Sequence, residues 1–265
     1  MTEEGGAMTH EFLLLSLLFL LPGGVIWLAR PDLRALMRRT ALASLPFAAT
    51  ERLFYPAYWT PKFLFDLADR IGFGVEDLLF LTGLSAFSST AYAVVFRRTP
   101  VPCAPPATQA TLTSATPTWS RSARPGLRSA RPWLRAAAVV ALVLALAGAL
   151  LAAGVPILYA AVAAMAAAAA ALLAARGDLL VPSLLGALLS AALYLGLCLV
   201  FAALVPGVFA RTWRPSVLLP GRALLGVPLD EILYGLGAGF AATVFPAWAF
   251  DFMYAKAARA APRAG

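Results

Sequence analysis

Apolar residues occupy long uninterrupted blocks of this chain, and clusters of Arg, Pro, Gly and acidic residues separate them. The blocks fall at about Phe12–Ala29, Thr40–Ala57, Val75–Phe96, Ala136–Ala153, Pro156–Ala175, Leu184–Val205 and Pro228–Tyr254. A helix needs about 20 residues to cross the hydrocarbon of a bilayer, and the blocks are of that length. They lack the polar–apolar alternation of membrane barrel strands. The pattern predicts an all-α integral membrane protein with seven transmembrane helices.

Composition strengthens that reading. Hydrophobic residues make up 61% and charged residues 13% of the chain, and the mean hydropathy is +0.81. Soluble domains carry roughly 25% charged and 45–50% apolar residues. The net charge of +8 fits basic cytoplasmic loops and, with no binding motif beside it, does not predict nucleic-acid binding. Arg30, Arg34, Arg38 and Arg39 follow the first block, Arg97 and Arg98 the third, and Lys256, Arg259 and Arg263 the last. Seven crossings with the N-terminus outside put these on the cytoplasmic face of the cell (inner) membrane. Residues 1–11 hold Glu3, Glu4 and Glu11 and no base, unlike the positive start of a signal peptide, so the first block reads as a retained span. His10 is the only histidine, and Cys103 and Cys198 have no metal or redox spacing. Neither a metal nor another cofactor is expected.

Residues 97–135 differ from the rest. They are rich in Pro, Ala, Ser and Thr, and end in a seven-residue tandem, Ser122–Arg128 then Ser129–Arg135. The segment reads as a disordered basic cytoplasmic loop, either in contact with anionic lipid heads or an unselected linker.

The chain repeats itself. Tyr58-Trp59-Thr60-Pro61 through Glu76-Asp77-Leu78-Leu79-Phe80 returns, 154 residues later and without a gap, as Thr212-Trp213-Arg214-Pro215 through Asp230-Glu231-Ile232-Leu233-Tyr234. Each copy has Trp-x-Pro, a Gly, then two adjacent carboxylates opening an apolar helix. The implied layout is a first three-helix repeat over residues 12–96, the loop 97–135, a linker helix over 136–153, and a second three-helix repeat over 156–254. Helices 3 and 7 are an even number of crossings apart, so the repeats are parallel and both acidic pairs sit at the same outer boundary.

Glu76, Asp77, Asp230 and Glu231 are therefore candidate functional residues. Carboxylates in a first helical turn also complement the helix dipole and accept otherwise unpaired N–H groups, with no chemistry implied. Trp59 and Trp213 read as candidate site aromatics or as interfacial anchors. Glu51 lies about eleven residues into the second block, roughly 17 Å deep at about 1.5 Å per residue. A carboxylate at that depth should face the bundle interior and find a partner. If the membrane-embedded part of the helix ends early, Glu51 instead sits at the surface, as its counterpart Val205 suggests.

Gly226-Val227-Pro228-Leu229-Asp230-Glu231-Ile232-Leu233-Tyr234 resembles the Pro-x-Glu-Glu helix start of the small membrane lycopene cyclase domain, which occurs as two homologous three-helix units in carotenoid cyclases of the bacterial heterodimeric and fungal bifunctional types. Phe73–Phe80 looks like the partner motif. Asp230 stands where the family has its first Glu, Gly74 where it has Pro, and Asp77 where it has its second Glu. The resemblance implies a lycopene-type cyclase, an intramolecular lyase or isomerase acting without metal or net redox change. It implies acid and base roles for Glu76, Asp77, Asp230 and Glu231. Trp59, Trp213 and Tyr234 would stabilise the cation. The implied partners are a hydrophobic carotenoid or isoprenoid substrate, the lipid bilayer and other carotenoid enzymes. Two alternatives remain at this stage: a non-catalytic membrane partner of a carotenoid enzyme, and a transporter of three-plus-one-plus-three layout. The chain contains no Pro-Gln dipeptide of the kind that breaks helices in sugar carriers of that layout. Lys256, lying beyond the last helix, argues against a retinal-binding protein.

Overall fold

The computed structural model describes residues 10–103, 130–214 and 222–256. The Pro/Ser-rich stretch from 104 to 129, with its lipid-contact reading, lies outside them. The rest is mostly helical. Helix α1 spans Glu11–Ala29, α2 Arg34–Ser44, α3 Glu51–Phe54, α4 Leu67–Ile71 and α5 Val75–Val95. After strand β1, Arg98–Pro102, come α6 (Ala130–Ala152), α7 (Ile157–Ala175), α8 (Leu180–Leu204) and α9 (Val208–Thr212). A short hairpin of β2 (Ala223–Leu224) and β3 (Val227–Pro228) leads into α10, Leu229–Ala249, and strand β4, Phe252–Lys256.

Among the described residues, six helices are long and apolar enough to cross a membrane: α1, α5, α6, α7, α8 with the turn before it, and α10. The second block departs from expectation. Its helix starts at Arg34 and gives way to a 3-10 turn over Leu45–Thr50 before the four residues of α3. Pro46 in that turn has no N–H to continue the α-helical ladder, and Arg38 and Arg39 fall inside α2. Glu51 thus opens a separate short helix instead of lying inside a continuous one. The loop boundaries also move. Residues 98–102 form a strand, and residues from 130 onward already belong to α6. The last span ends at Ala249 because Asp251 turns the chain at φ 54°.

Helix α1 packs on α5, α7 and α8 pack on α10, and α6 lies on α7. Backbones approach closely at Gly83, where an added Cβ would stand 2.4 Å from the carbonyl oxygen of Phe19. Gly239 meets Ser190 in the same way, a Cβ there standing 2.5 Å from the serine's. Phe19, Phe87 and Phe201 fill the centre, each buried.

Counterpart residues meet at two seams. At one, Thr60 N–H donates to Thr212 O and Arg214 N–H to Tyr58 O, both at 2.8 Å, pairing Trp59 with Trp213. At the other, β1 and β4 run antiparallel with Pro100 opposite Tyr254. Both central pairs are 154 residues apart. Helices α5 and α10 have equal length, 21 residues, as do α1 and α7 with 19. The ends of α1 and α7 are related by 146 instead. At that spacing Arg30 grips Asp32 (2.7 Å) and the carbonyl of Arg98, and Arg176 grips Asp178 (2.8 Å) and the carbonyl of Phe252. Each arginine ties the end of one helix to the first residue of the corresponding strand.

Candidate functional site

Both acidic pairs are buried, and in each pair the two carboxylates part company. A helix advances 100° per residue, so neighbours cannot share a face. Glu76 turns into the loop before its helix, where Leu64 N–H donates to its Oε1 at 2.6 Å. Its counterpart Asp230 accepts from the Tyr159 hydroxyl at 2.8 Å. Asp77 and Glu231, counterparts of each other, face a shared cavity of about 270 Å³.

What precedes each helix decides how tightly that inward carboxylate is held. Gly74 caps α5 and keeps its N–H, which donates to Asp77 Oδ2 at 2.7 Å. This is the reach-back of an N3 carboxylate to its cap. Pro228 holds the same place before α10 and has no N–H to give. Glu231 therefore looks across the bundle. Its Oε1 accepts from the Tyr58 hydroxyl at 2.6 Å and from Trp213 Nε1 at 2.8 Å. Its Oε2 accepts from the Tyr194 hydroxyl at 2.5 Å. Burial and then the Glu231 carboxylate push the Tyr58 hydroxyl well above its usual range, so it stays a donor.

Glu51 is the third carboxylate on the cavity. It is 8% exposed, and Trp59 Nε1 donates to its Oε1 at 2.7 Å. Burial first, and then the nearby Asp77, push its carboxyl above the usual range. Neither Trp59 nor Trp213 is an exposed interfacial anchor. Their rings lie 5.0 Å apart at 51°, and each indole N–H is held by a different carboxylate. Tyr234 lines the same cavity and stands within the electrostatic reach of Glu231, Glu51 and Asp77.

The cavity walls are otherwise apolar and aromatic, with Phe12, Phe54, Phe80 and Phe245 among them. The lining contains no Lys, Arg or His, and no recorded ion pair among the described residues involves these three carboxylates. No group of three or more His, Cys, Asp or Glu suited to a metal ion occurs among the described residues. The lining follows α10 from Glu231 to Phe250, a run of roughly 28 Å at about 1.5 Å per residue.

Sequence reasoning did not find Tyr58 and Tyr194. Neither stands in the repeated motif as a matched pair, since their counterparts by spacing are Thr212 and Thr40. For Tyr194 the available signal was a Tyr inside an otherwise apolar block, whose hydroxyl needs a partner.

This aromatic-walled cavity, with several carboxyl groups and no basic side chain in its lining, lies among helices long and apolar enough to cross a membrane. Residues 156–249, from just before α7 to the end of α10, match the lycopene cyclase family model, which makes this segment a lycopene cyclase-family domain. No curated protein and no solved structure matches the chain.

Proposed function

We propose that the protein is a membrane carotenoid cyclase of the lycopene type, or a related isoprenoid enzyme, that closes a ring on a ψ-end group without net redox change. The observation that carries this reading is the cavity. Protonating an alkene needs a carboxyl group that keeps its proton. The cation that forms needs π-faces and negative charge around it, and ring closure ends with proton loss to a base. Glu51, Asp77 and Glu231 supply the carboxyl groups, and Trp59, Trp213 and Tyr234 the aromatic faces. Glu76 and Asp230 support the site from behind, by holding the Leu64 N–H and the Tyr159 hydroxyl. The 28 Å run of the lining along α10 suits an elongated, flexible hydrocarbon that enters from the bilayer.

The accompanying architecture is two parallel three-helix repeats, residues 12–96 and 156–254, joined by residues 97–135 and a linker helix, 136–153. The equal helix lengths, the paired arginine clamps and the two seams between counterpart residues support it. The N-terminus lies outside and the strand end, rich in arginine, lies on the cytoplasmic face of the inner membrane.

Expression in a lycopene-accumulating bacterium, followed by pigment chromatography, tests the reading. β-Ring products should appear with the wild-type protein and be lost with Glu231→Gln. A Glu231→Gln protein that cyclises normally would end the catalytic reading of this residue. Wild-type protein inactive on every ψ-end substrate would end the cyclase reading.

A further inference from the structure

Three carboxyl groups on one cavity need not share one task, and their hydrogen bonds distinguish them. Glu231 accepts three bonds, and one of its donors, the Trp213 N–H, can only donate. Such a donor set favours the acceptor-only, ionised carboxylate. Asp77 is committed to the cap of its own helix, at the positive end of the dipole. Among the described residues Glu51 accepts only from Trp59 Nε1, on Oε1, so a proton on its Oε2 leaves the bond from Trp59 intact. Trp59 and Trp213, their rings 5.0 Å apart and tilted at 51°, each hold a different one of the two glutamates.

We propose that Glu51, a residue outside the Pro-x-Glu-Glu-like motif, is the proton donor of ring closure and Glu231 the proton acceptor. The assignment rests on the cyclase reading. In the first step the Glu51 carboxyl gives its proton to the terminal double bond of the ψ-end, and the electron pair of that bond forms the new C–H bond. The tertiary cation left behind accepts the electron pair of the internal alkene, forming the ring bond and moving the positive charge to the far alkene carbon. The adjacent ring carbon then loses a proton to Glu231, and its C–H pair becomes the ring double bond. Glu51 ends as carboxylate and Glu231 as carboxylic acid, and proton exchange through water restores both. The product is an isomer of the substrate, and no oxidant or reductant enters.

The two roles fail differently, which gives the test. Membranes containing the full chain are incubated with lycopene in deuterated buffer, and the products are analysed by chromatography and mass spectrometry. Wild type should give cyclic product carrying one deuterium per ring. Glu51→Gln should return unreacted, unlabelled lycopene, with the rate down by at least about 10²-fold. Glu231→Gln should still take up deuterium but divert the cation to isomeric alkenes or to a hydrated product. Should Glu51→Gln fail to fold, Glu51→Asp, which keeps the carboxyl but retracts it by one methylene, should retain deuterium uptake at a reduced rate. Glu51→Gln that cyclises at the wild-type rate, or Glu51→Asp with unchanged rate, overturns the proposal. So does the reversed result, in which Glu231→Gln leaves the substrate unlabelled and Glu51→Gln diverts it. Wild type inactive on lycopene and on every other ψ-end substrate tried refutes the cyclase reading, and the Glu51 assignment falls with it.

Discussion

Replacing Glu231 by Leu should destabilise the fold well beyond the effect of Glu231→Gln. Three donors converge on this carboxylate: the hydroxyls of Tyr58 and Tyr194 and the indole N–H of Trp213. Tyr58 is 3% exposed, Tyr194 3% and Trp213 4%, so none can turn to water. Gln keeps an oxygen for Tyr58 and Trp213, and its amide donates to the Tyr194 hydroxyl, which can accept. Leu offers nothing to any of the three. A buried donor left unsatisfied costs about 1–3 kcal/mol, so three cost roughly 3–9 kcal/mol. The apolar burial of Leu returns about 1.5–3 kcal/mol at most. Both variants remove the charge, so that term cancels between them. A deficit of roughly 0–7.5 kcal/mol remains, about 4 at the centre of both ranges, against a typical total stability of about 5–15 kcal/mol. The assay is thermal unfolding of detergent-solubilised protein, with the two variants side by side. Equal midpoints would falsify the claim that the donors depend on this acceptor.

Other consequences follow from the packing and the seams. Gly83→Ala should destabilise by about 1–3 kcal/mol or more, because its Cβ meets backbone atoms of Phe19 and Leu20; Gly196→Ala, with nothing within 4 Å, should be neutral or gain up to about 1 kcal/mol. Thermal midpoints of the two variants check this pair. Arg176→Gln should raise amide hydrogen exchange in Phe252–Lys256, and Arg30→Gln in Arg98–Pro102, whereas Arg211→Gln, which breaks an exposed pair with Glu11, should change neither. In a Cys103→Ser background, Thr60→Cys should react with an impermeant thiol reagent from outside and Lys256→Cys only from inside; the opposite labelling would invert the topology.

The periodicity that makes helices was plain in the sequence, and so was the duplication around Trp59 and Trp213, because that stretch repeats without an insertion. The first helices of the two repeats were paired by layout alone, and the correspondence of Arg30 with Arg176 was not read. Arg30 and Arg176 are 146 residues apart while Trp59 and Trp213 are 154 apart, so a single fixed spacing cannot align both. The break after α2 was written in Pro46 and in Arg38 and Arg39, but overall hydropathy outweighed them. The acidic pairs were legible as a site, whereas their division was not. Which member of a pair faces inward depends on the helix start, and one residue of displacement turns it by 100°. The substitution of Gly74 for Pro was visible as a departure from a motif. Its effect, one extra N–H that ties Asp77 to its own helix, shows only in the geometry of the cap. Tyr58 and Tyr194 reach Glu231 from elements 173 and 37 residues away, a distance over which local pattern carries no information.

The two seams join each half to its own likeness. Trp59 lies against Trp213, and Pro100 against Tyr254, so the edge one half offers is the edge the other half receives. An interface of this kind is isologous, the form that pairs identical subunits in a symmetric dimer. Two separate copies of such a half would carry the same residue at both cap positions, and hence the same inward carboxylate twice. A single chain is released from that identity. It can keep Gly74 on one side and Pro228 on the other, and so hold Asp77 to its own helix while freeing Glu231 to face the cavity.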